Sequence, residues 1–165
     1  LMAQYDARAI VMATSETGMP QTAGERVENA AILVEELLSR GTDPADIFLD
    51  PIIFPISVDQ DNGIHYFEAV RTLRKMYGDT IHIGMGMSNI SFGMPNRRLI
   101  NRVFLLLAIM AGADSGIIDP VLTKVNEIFK LDLESEPVKL AKAMLLGNDE
   151  FCMEFIKAHR EGRLK

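Results

Sequence analysis

Short apolar runs alternate with longer amphipathic segments four times along this chain. The runs cover residues 9–13, 47–55, 81–87 and 115–119, and none of them alternates apolar with polar residues. Continuous apolar runs are typical of parallel strands buried on both faces, and parallel strands need a crossover segment between them, usually a helix. The alternation therefore predicts an α/β protein with a parallel sheet.

Helical signals follow the predicted strands. Thr22 and Glu25 have the spacing of a capping box, and apolar residues at helical spacing follow them until Gly41. A second helix is predicted to end at Gly78. Further helical stretches are predicted over residues 98–111, 121–131, 137–146 and 149–160. These segments provide the crossovers that a parallel sheet requires.

Four strand-helix units fit two architectures. One is a small doubly wound sheet, the other is half of an eight-unit (β/α)₈ barrel, and periodicity alone does not distinguish them. A chain of 165 residues is long enough for one ordinary core, so we predict that residues 1–165 form a single domain. In both architectures ligands bind beyond the carboxyl ends of the strands.

The charge balance argues against one class of partner. The chain has 17 Lys and Arg residues against 23 Asp and Glu residues, a formal net charge of −6. It therefore lacks the basic excess with which proteins displace counterions from nucleic acids. The longest apolar run, residues 103–111, is too short for a membrane-spanning helix. We expect partners to be small molecules or proteins, with no nucleic acid and no membrane.

Cysteine usage and the N-terminal segment bear on the compartment. Cys152 is the only cysteine, and no group of Cys and His residues has metal-ligand spacing, so no metal site is predicted. Residues 1–20 lack the pattern of a secretion signal. These features favour the reducing cytoplasm. The start at Leu1 rather than at a methionine suggests a piece of a longer protein.

Polar side chains stand at the ends of three predicted strands. Asp50 ends the second strand, Asn89 follows the third and Asp119 ends the fourth. Their position makes them the candidates for ligand binding. Asp before proline and Asn in a loop rich in glycine and serine are also common turn formers, so a purely structural role stays open for each.

Residues 86–97 read Gly-Met-Ser-Asn-Ile-Ser-Phe-Gly-Met-Pro-Asn-Arg and are followed by Asn101 and Phe104. This stretch resembles the signature of the pterin-binding methyltransferases, a group that includes methyltetrahydrofolate:corrinoid methyltransferases and the folate domain of cobalamin-dependent methionine synthase. The segment 48–51 (Phe-Leu-Asp-Pro) and the loop 15–20 are similar to further elements of that family. The matches run in order over residues 8–120. They correspond to strands five to eight of the family's TIM (β/α)₈ barrel, so the resemblance implies the C-terminal half of that barrel.

The resemblance implies a reaction and its participants. The expected function is transfer of a methyl group from a methyltetrahydrofolate-type pterin to the Co(I) of a corrinoid protein. The chain has no corrinoid-binding Asp-x-His-x-x-Gly element, so cobalamin is expected to be carried by a partner protein.

The resemblance also implies roles for six residues. Asn89 is the expected catalytic residue, because an amide donor can stabilise the pterin nitrogen N5 as its bond to the methyl group lengthens. Asp50 is the expected anchor of the pterin ring, since a carboxylate can accept two adjacent N–H groups. The other expected substrate-binding residues are Ser88, Ser91, Arg97 and Asp119. Ser88 and Ser91 are also expected to orient Asn89.

Two alternatives remain open on sequence grounds. Dihydropteroate synthase binds a pterin in the same barrel but needs cationic residues at its late strands, where this chain has Asn89 and Asp119. The second alternative is a non-catalytic half-barrel subunit or fragment that does not turn over alone. Four units would leave two sheet edges open, so we expect homo-oligomerisation or pairing with an N-terminal half. The identity of the methyl donor and the direction of transfer stay open.

Overall fold

A computed structural model of the chain describes residues 5, 7–16, 18–84, 86–121 and 123–164. Three strands form its sheet, β1 (Ala9–Met12), β2 (Ile47–Asp50) and β3 (His82–Ile83). All pairings are parallel and the spatial order β1-β2-β3 follows the chain. The register places Met12 beside Asp50 and Phe48 beside His82. The predicted α/β class with a parallel sheet is therefore confirmed.

Six α-helices lie wholly within the described residues. They are α1 (Ala23–Ser39), α2 (Asn62–Tyr77), α3 (Arg97–Ala111), α4 (Val125–Ile128), α5 (Glu136–Leu145) and α6 (Met153–Arg160). Three short 3₁₀ helices cover Pro44–Asp46, Met87–Ser91 and Glu150–Cys152. No described helix is long and apolar enough to cross a membrane.

Local signals set the start of α1 as predicted. The Thr22 hydroxyl accepts a hydrogen bond from the Glu25 amide at 3.2 Å, and the Glu25 carboxylate accepts one from the Thr22 amide at 3.2 Å. This reciprocal pair satisfies two of the amides that the first helical turn leaves without an intrahelical acceptor. The backbone amides of Gln21 and Thr22 lower the pKa of Glu25, because they stabilise its ionised form.

Two predicted elements are much shorter than expected, and one predicted strand does not form. Strand β3 has two residues where seven were predicted, and the helix predicted over 121–131 is reduced to Val125–Ile128. Residues 115–119, predicted as a fourth strand, form no regular strand and contain a single β-bridge residue, Ile117. The amides of Asp114 and Ser115 both donate to the carbonyl of Ile83, at 3.1 and 3.2 Å. Two donors that converge on one carbonyl interrupt the regular ladder that a strand would need.

The contacts of the chain group into two compact units. The first comprises residues 1–52, 65–85 and 111–117, and the second comprises residues 53–64, 86–110 and 118–165. Fully buried side chains form the core of the first unit: Val34, Ile47, Leu49, Phe67, Leu73 and Ile83. The core of the second unit contains the fully buried side chains of Ile90, Ile100, Phe104, Met144 and Phe155.

Candidate functional site

The carboxylate of Asp50 lines a cavity of about 220 Å³ in the first unit. Asp50 is the last residue of β2, and it lies on the same face of the strand as Phe48. The other lining residues come from β1, from Gly84 after β3, and from the segment 115–117. The structure therefore places Asp50 at the carboxyl end of a central parallel strand, as the sequence predicted.

A tight turn fixes the Asp50 side chain. Its Oδ1 accepts a hydrogen bond from the amide of Ile52 at 2.8 Å. Pro51 between them has no amide hydrogen, so Ile52 offers the first donor after the strand. Ile52 has a positive φ of 64°, an unfavourable conformation for a β-branched residue. The turn is therefore held in place by contacts outside it.

Burial sets the acidity of this carboxyl group. Desolvation raises the pKa of Asp50, and the hydrogen bond from Ile52 opposes that rise. The side chain of Tyr66, whose pKa responds to the charge of Asp50, is fully buried. Burial raises the pKa of Tyr66, and the charges of Asp50 and Asp114 raise it further. Asp50 thus lies in surroundings of low polarity, where hydrogen bonds to its charged form are strengthened.

The loop after β3 forms a 3₁₀ helix, Met87–Ser91, that Arg97 braces. Arg97 Nε donates to Ser91 Oγ at 3.1 Å, and its Nη2 donates to the carbonyl of Ser88 at 3.0 Å. The Ser91 hydroxyl in turn donates to the Ser88 carbonyl at 3.2 Å, and Ser91 is fully buried. Ser91 and Arg97 therefore act within the protein to fix this short helix.

The Asn89 side chain is exposed on that braced helix. Its backbone is held from both sides, because its amide donates to the Gly86 carbonyl and its carbonyl accepts from Phe92. In the described part of the chain, no residue forms a hydrogen bond with the side-chain carboxamide of Asn89. The 3₁₀ helix therefore holds the Asn89 backbone in place and leaves its side-chain NH₂, a hydrogen-bond donor, exposed.

A second cavity, of about 410 Å³, lies in the second unit. Three of the predicted site residues line it together, Ser88, Arg97 and Asp119. Asp119 also shapes its own loop, because its Oδ1 accepts from the amide of Val121 at 2.8 Å and its carbonyl accepts from that of Thr123 at 2.9 Å. The turn-forming role considered for Asp119 is therefore present, and the side chain still borders the cavity.

Several residues of these sites have no functional signal in the sequence. Arg98 and Thr123 line the larger cavity. Arg26 is a fully buried arginine of α1 that reaches the turn after β2. Helical periodicity gives no signal for such a residue, because an arginine in the first turn of a helix is ordinarily solvated.

One charged network of the first unit lies apart from the predicted site residues. Asp114 accepts from the Ile83 amide at 2.7 Å, its Oδ2 lies 3.0 Å from His82 Nδ1, and its Oδ1 lies 3.3 Å from an Arg74 nitrogen. Arg74 also donates to the carbonyls of Gly112 and Ile81. These contacts join the start of β3 to the segment after α3. We infer that this network stabilises the fold and does not belong to the candidate site.

Among the described residues, no group of three or more His, Cys, Asp or Glu side chains has the geometry for a metal. Cys152, the only cysteine, is buried. Burial raises the pKa of its thiol to about 11, and the charge of Asp149 contributes to the rise.

Comparisons with known proteins identify the family. The family model described as pterin binding enzyme matches residues 1–119. The methylcorrinoid:tetrahydrofolate methyltransferase of Eubacterium limosum is 33% identical over 156 residues, which cover 94% of this chain and 53% of that protein. The methionine synthase of Mycobacterium tuberculosis is 34% identical over 125 residues, which cover 72% of this chain and 10% of the synthase.

The chain spans about half the length of the first of these relatives and a tenth of the second. The family match covers most of the chain and includes Asp50, Asn89 and Asp119. The resemblance that the motifs indicated is therefore confirmed, and the chain belongs to the pterin-binding enzyme family.

Proposed function

We propose that this chain takes part in methyl transfer between a methyltetrahydrofolate-type pterin and the cobalt of a corrinoid protein in the cytoplasm. The observation that carries the proposal is the half-buried Asp50 carboxylate, which lines a cavity at the carboxyl end of β2. Membership of the pterin-binding family supports a pterin as the ligand of that carboxylate. The chemistry runs in either direction, and the name of the Eubacterium limosum relative gives methylcorrinoid as the donor.

Asp50 has the chemistry to anchor the pterin ring. A reduced pterin presents a ring N–H and an exocyclic NH₂ side by side, and an ionised carboxylate accepts both. Ile52 occupies one lone pair of Oδ1, which leaves the other acceptor positions for a ligand. Because desolvation raises the pKa of Asp50, donors from a pterin would compensate a carboxylate that is costly to keep ionised.

Asn89 has the chemistry to assist the transfer step. The pterin N5 is a poor leaving group, and negative charge develops on it as the C–N bond to the methyl group lengthens. An amide N–H directed at N5 stabilises that state more than the ground state, which accelerates the reaction. A single donor of this kind contributes about 2–4 kcal/mol to the transition state. The brace formed by Arg97 and Ser91 would keep the donor in position.

Ser88, Arg97 and Asp119 are proposed to receive the outer part of the substrate. They line the cavity of about 410 Å³, which is large enough for a substituent beyond the ring. Two guanidinium groups, those of Arg97 and Arg98, border this cavity beside the single carboxylate of Asp119. The cavity would therefore favour a substituent that carries acceptor oxygens.

A partner protein is proposed to bring the corrinoid. The sequence lacks the Asp-x-His-x-x-Gly element that binds a corrinoid. Bound to its own protein, the corrinoid supplies the nucleophilic Co(I) that exchanges the methyl group. This chain would contribute the pterin anchor and the N5 donor. Stoichiometric cobalt in the purified chain alone would contradict this division.

We also propose that the chain is the C-terminal half of a (β/α)₈ barrel, in which β1, β2 and β3 correspond to strands five, six and seven and residues 115–119, which form no regular strand, occupy the position of strand eight. The sequential order of parallel strands supports this, because doubly wound sheets change direction at a switch point. Ile10 and Met12 of β1 are 64% and 48% exposed, and Ile10 borders the cavity that also contains Asp50. In a closed barrel this face would point into the packed interior.

Association of the isolated chain tests the half-barrel. We expect sedimentation experiments to show dimers or larger species, and Ile10→Lys to weaken their formation. Ile32→Lys is the matched control, because Ile32 is 68% exposed on α1 rather than on the sheet face. A stable monomer of the unsubstituted chain would contradict the half-barrel.

Two variants test the assigned roles. Asn89→Ala should lower the single-turnover rate of methyl transfer by about 30-fold or more while pterin affinity changes little. Asp50→Ala should chiefly weaken pterin binding, measured by titration. Equal losses of rate and affinity in both variants would contradict the two assignments.

The non-catalytic half-barrel remains a second candidate. The observation that favours it is coverage, since the chain matches only 53% of the Eubacterium limosum relative. In that case the chain alone would not turn over, and activity would return when a polypeptide with the missing half is added. The same single-turnover assay, with and without that polypeptide, distinguishes the two candidates.

A further inference from the structure

We propose that Arg26 is a positioning residue for Asp50, a role that rests on the proposed function of Asp50 as the pterin anchor. Arg26 lies in the first turn of α1 and its side chain is fully buried. Its Nε donates to the carbonyl of Ile52 at 3.2 Å, and the amide of Ile52 donates to Asp50 Oδ1 at 2.8 Å. A chain of two hydrogen bonds therefore joins the guanidinium to the carboxylate through one residue.

The conformation of Ile52 explains why such a chain is needed. With φ at 64°, Ile52 adopts the left-handed region, which is disfavoured for a β-branched side chain. Such a residue persists only where its surroundings over-determine it. Here both polar groups of its backbone are held, the amide by Asp50 and the carbonyl by Arg26.

Arg26 also fixes the loop that precedes its own helix. Its Nη1 donates to the carbonyls of Gln21 and Thr22, at 2.8 and 3.0 Å. The guanidinium therefore connects the loop after β1 to the turn after β2 at the carboxyl edge of the sheet. The negative charge of the nearby Glu25 carboxylate interacts favourably with the positive charge of the Arg26 guanidinium.

The chemistry of Arg26 favours a positioning role over a purely stabilising one. The acceptors of these three bonds are backbone carbonyls in two different loops, and taking a guanidinium out of water carries a desolvation penalty. Well-packed apolar residues often stabilise such a position at least as well. What an apolar residue cannot do is direct donors at two loops in a fixed geometry.

Hydrogen exchange of the Ile52 amide gives a direct readout on the folded chain. Arg26→Lys keeps the charge and the aliphatic stem but loses the fork of donors. We expect it to accelerate exchange of the Ile52 amide by about tenfold or more, the effect of losing one hydrogen bond to a charged group. The Val34 amide, in the interior of α1, should change by less than about threefold.

Asn29→Ala is the matched control on the same helix. Asn29 Nδ2 donates to the carbonyl of Ala13 at 3.2 Å. This variant therefore removes a hydrogen bond from α1 to the loop after β1 and leaves the bond from Arg26 to Ile52 in place. The Ile52 amide should exchange as in the unsubstituted chain. Three results would overturn the proposal: unchanged exchange of Ile52 in Arg26→Lys, equal acceleration at Val34, or an Arg26→Lys chain that does not fold.

A double-mutant cycle on pterin binding adds the functional readout. Arg26→Lys alone should weaken pterin binding by about tenfold, and it should have little further effect in an Asp50→Asn background. If Arg26→Lys weakened pterin binding equally in the unsubstituted and Asp50→Asn backgrounds, Arg26 would not act through Asp50. If the unsubstituted protein does not bind pterin, the proposed function fails, whereas hydrogen exchange still decides whether Arg26 positions Asp50.

Discussion

Gly84→Ala should be strongly destabilising, because the chain passes too close to this position for a side chain. A Cβ atom on Gly84 would lie 2.1 Å from Ser115 Oγ and 2.7 Å from the Ser115 carbonyl oxygen. The hydroxyl can rotate away, but the carbonyl belongs to the backbone. Since close carbon-oxygen contacts are about 3.3 Å, one of the two segments must move by about 0.6 Å.

The structure gives the size of the loss. The Gly84 amide donates to the Leu49 carbonyl at 2.9 Å, so a shift of Gly84 also weakens this bond at the end of the sheet. Overpacking costs about 1–3 kcal/mol and a lost hydrogen bond about 0.5–1.5 kcal/mol. We therefore expect a decrease of about 2–4 kcal/mol in the free energy of unfolding. For a chain of 165 residues this corresponds to a Tm lower by about 10 °C.

Urea denaturation followed by circular dichroism measures this change, and Gly86→Ala is the control. The nearest atom to a Cβ on Gly86 lies 3.8 Å away and its φ is −76°, so this variant should stay within about 0.5 kcal/mol of the unsubstituted chain. Adding Ser115→Ala to Gly84→Ala should recover less than half of the loss. Complete recovery, or equal stability of the two glycine variants, would refute the backbone contact as the cause.

Three further predictions concern local groups. Because burial raises the folded pKa of Asp50, its contribution to stability is full below the unfolded pKa and is lost as pH rises through the folded pKa. Asp50→Asn should therefore gain stability relative to the unsubstituted chain from about pH 3 to pH 7, and parallel denaturation curves would contradict this. Thr22→Ala should lower the free energy of unfolding by about 1 kcal/mol, because the amide of Glu25 loses its acceptor; a helix that melts unchanged would exclude that cap as a contributor. Cys152 should resist alkylation at about pH 8 until the chain unfolds, since burial raises its pKa to about 11, and fast labelling of the native chain would oppose this.

The predicted site residues were accessible from sequence because they belong to contiguous motifs. Asp50 follows an apolar run and Asn89 stands inside a family signature, so both could be named without knowledge of their neighbours. The contacts that surround these two side chains could not be predicted from the sequence. The brace from Arg97 to Ser91 joins residues six apart, and nothing in the sequence distinguishes it from a contact with substrate.

What the sequence determined by itself is the class of fold, the start of α1 and the family of the chain. Each depends on interactions within a few residues or on contiguous motifs, as the Thr22 cap and the apolar runs illustrate. Only the tertiary structure decided that residues 115–119 form no strand, that Ile52 is left-handed, and that Arg26 contacts it from 26 positions away. The physical reason is that these features depend on which distant carbonyls and amides packing brings together, and periodicity carries no information about such partners.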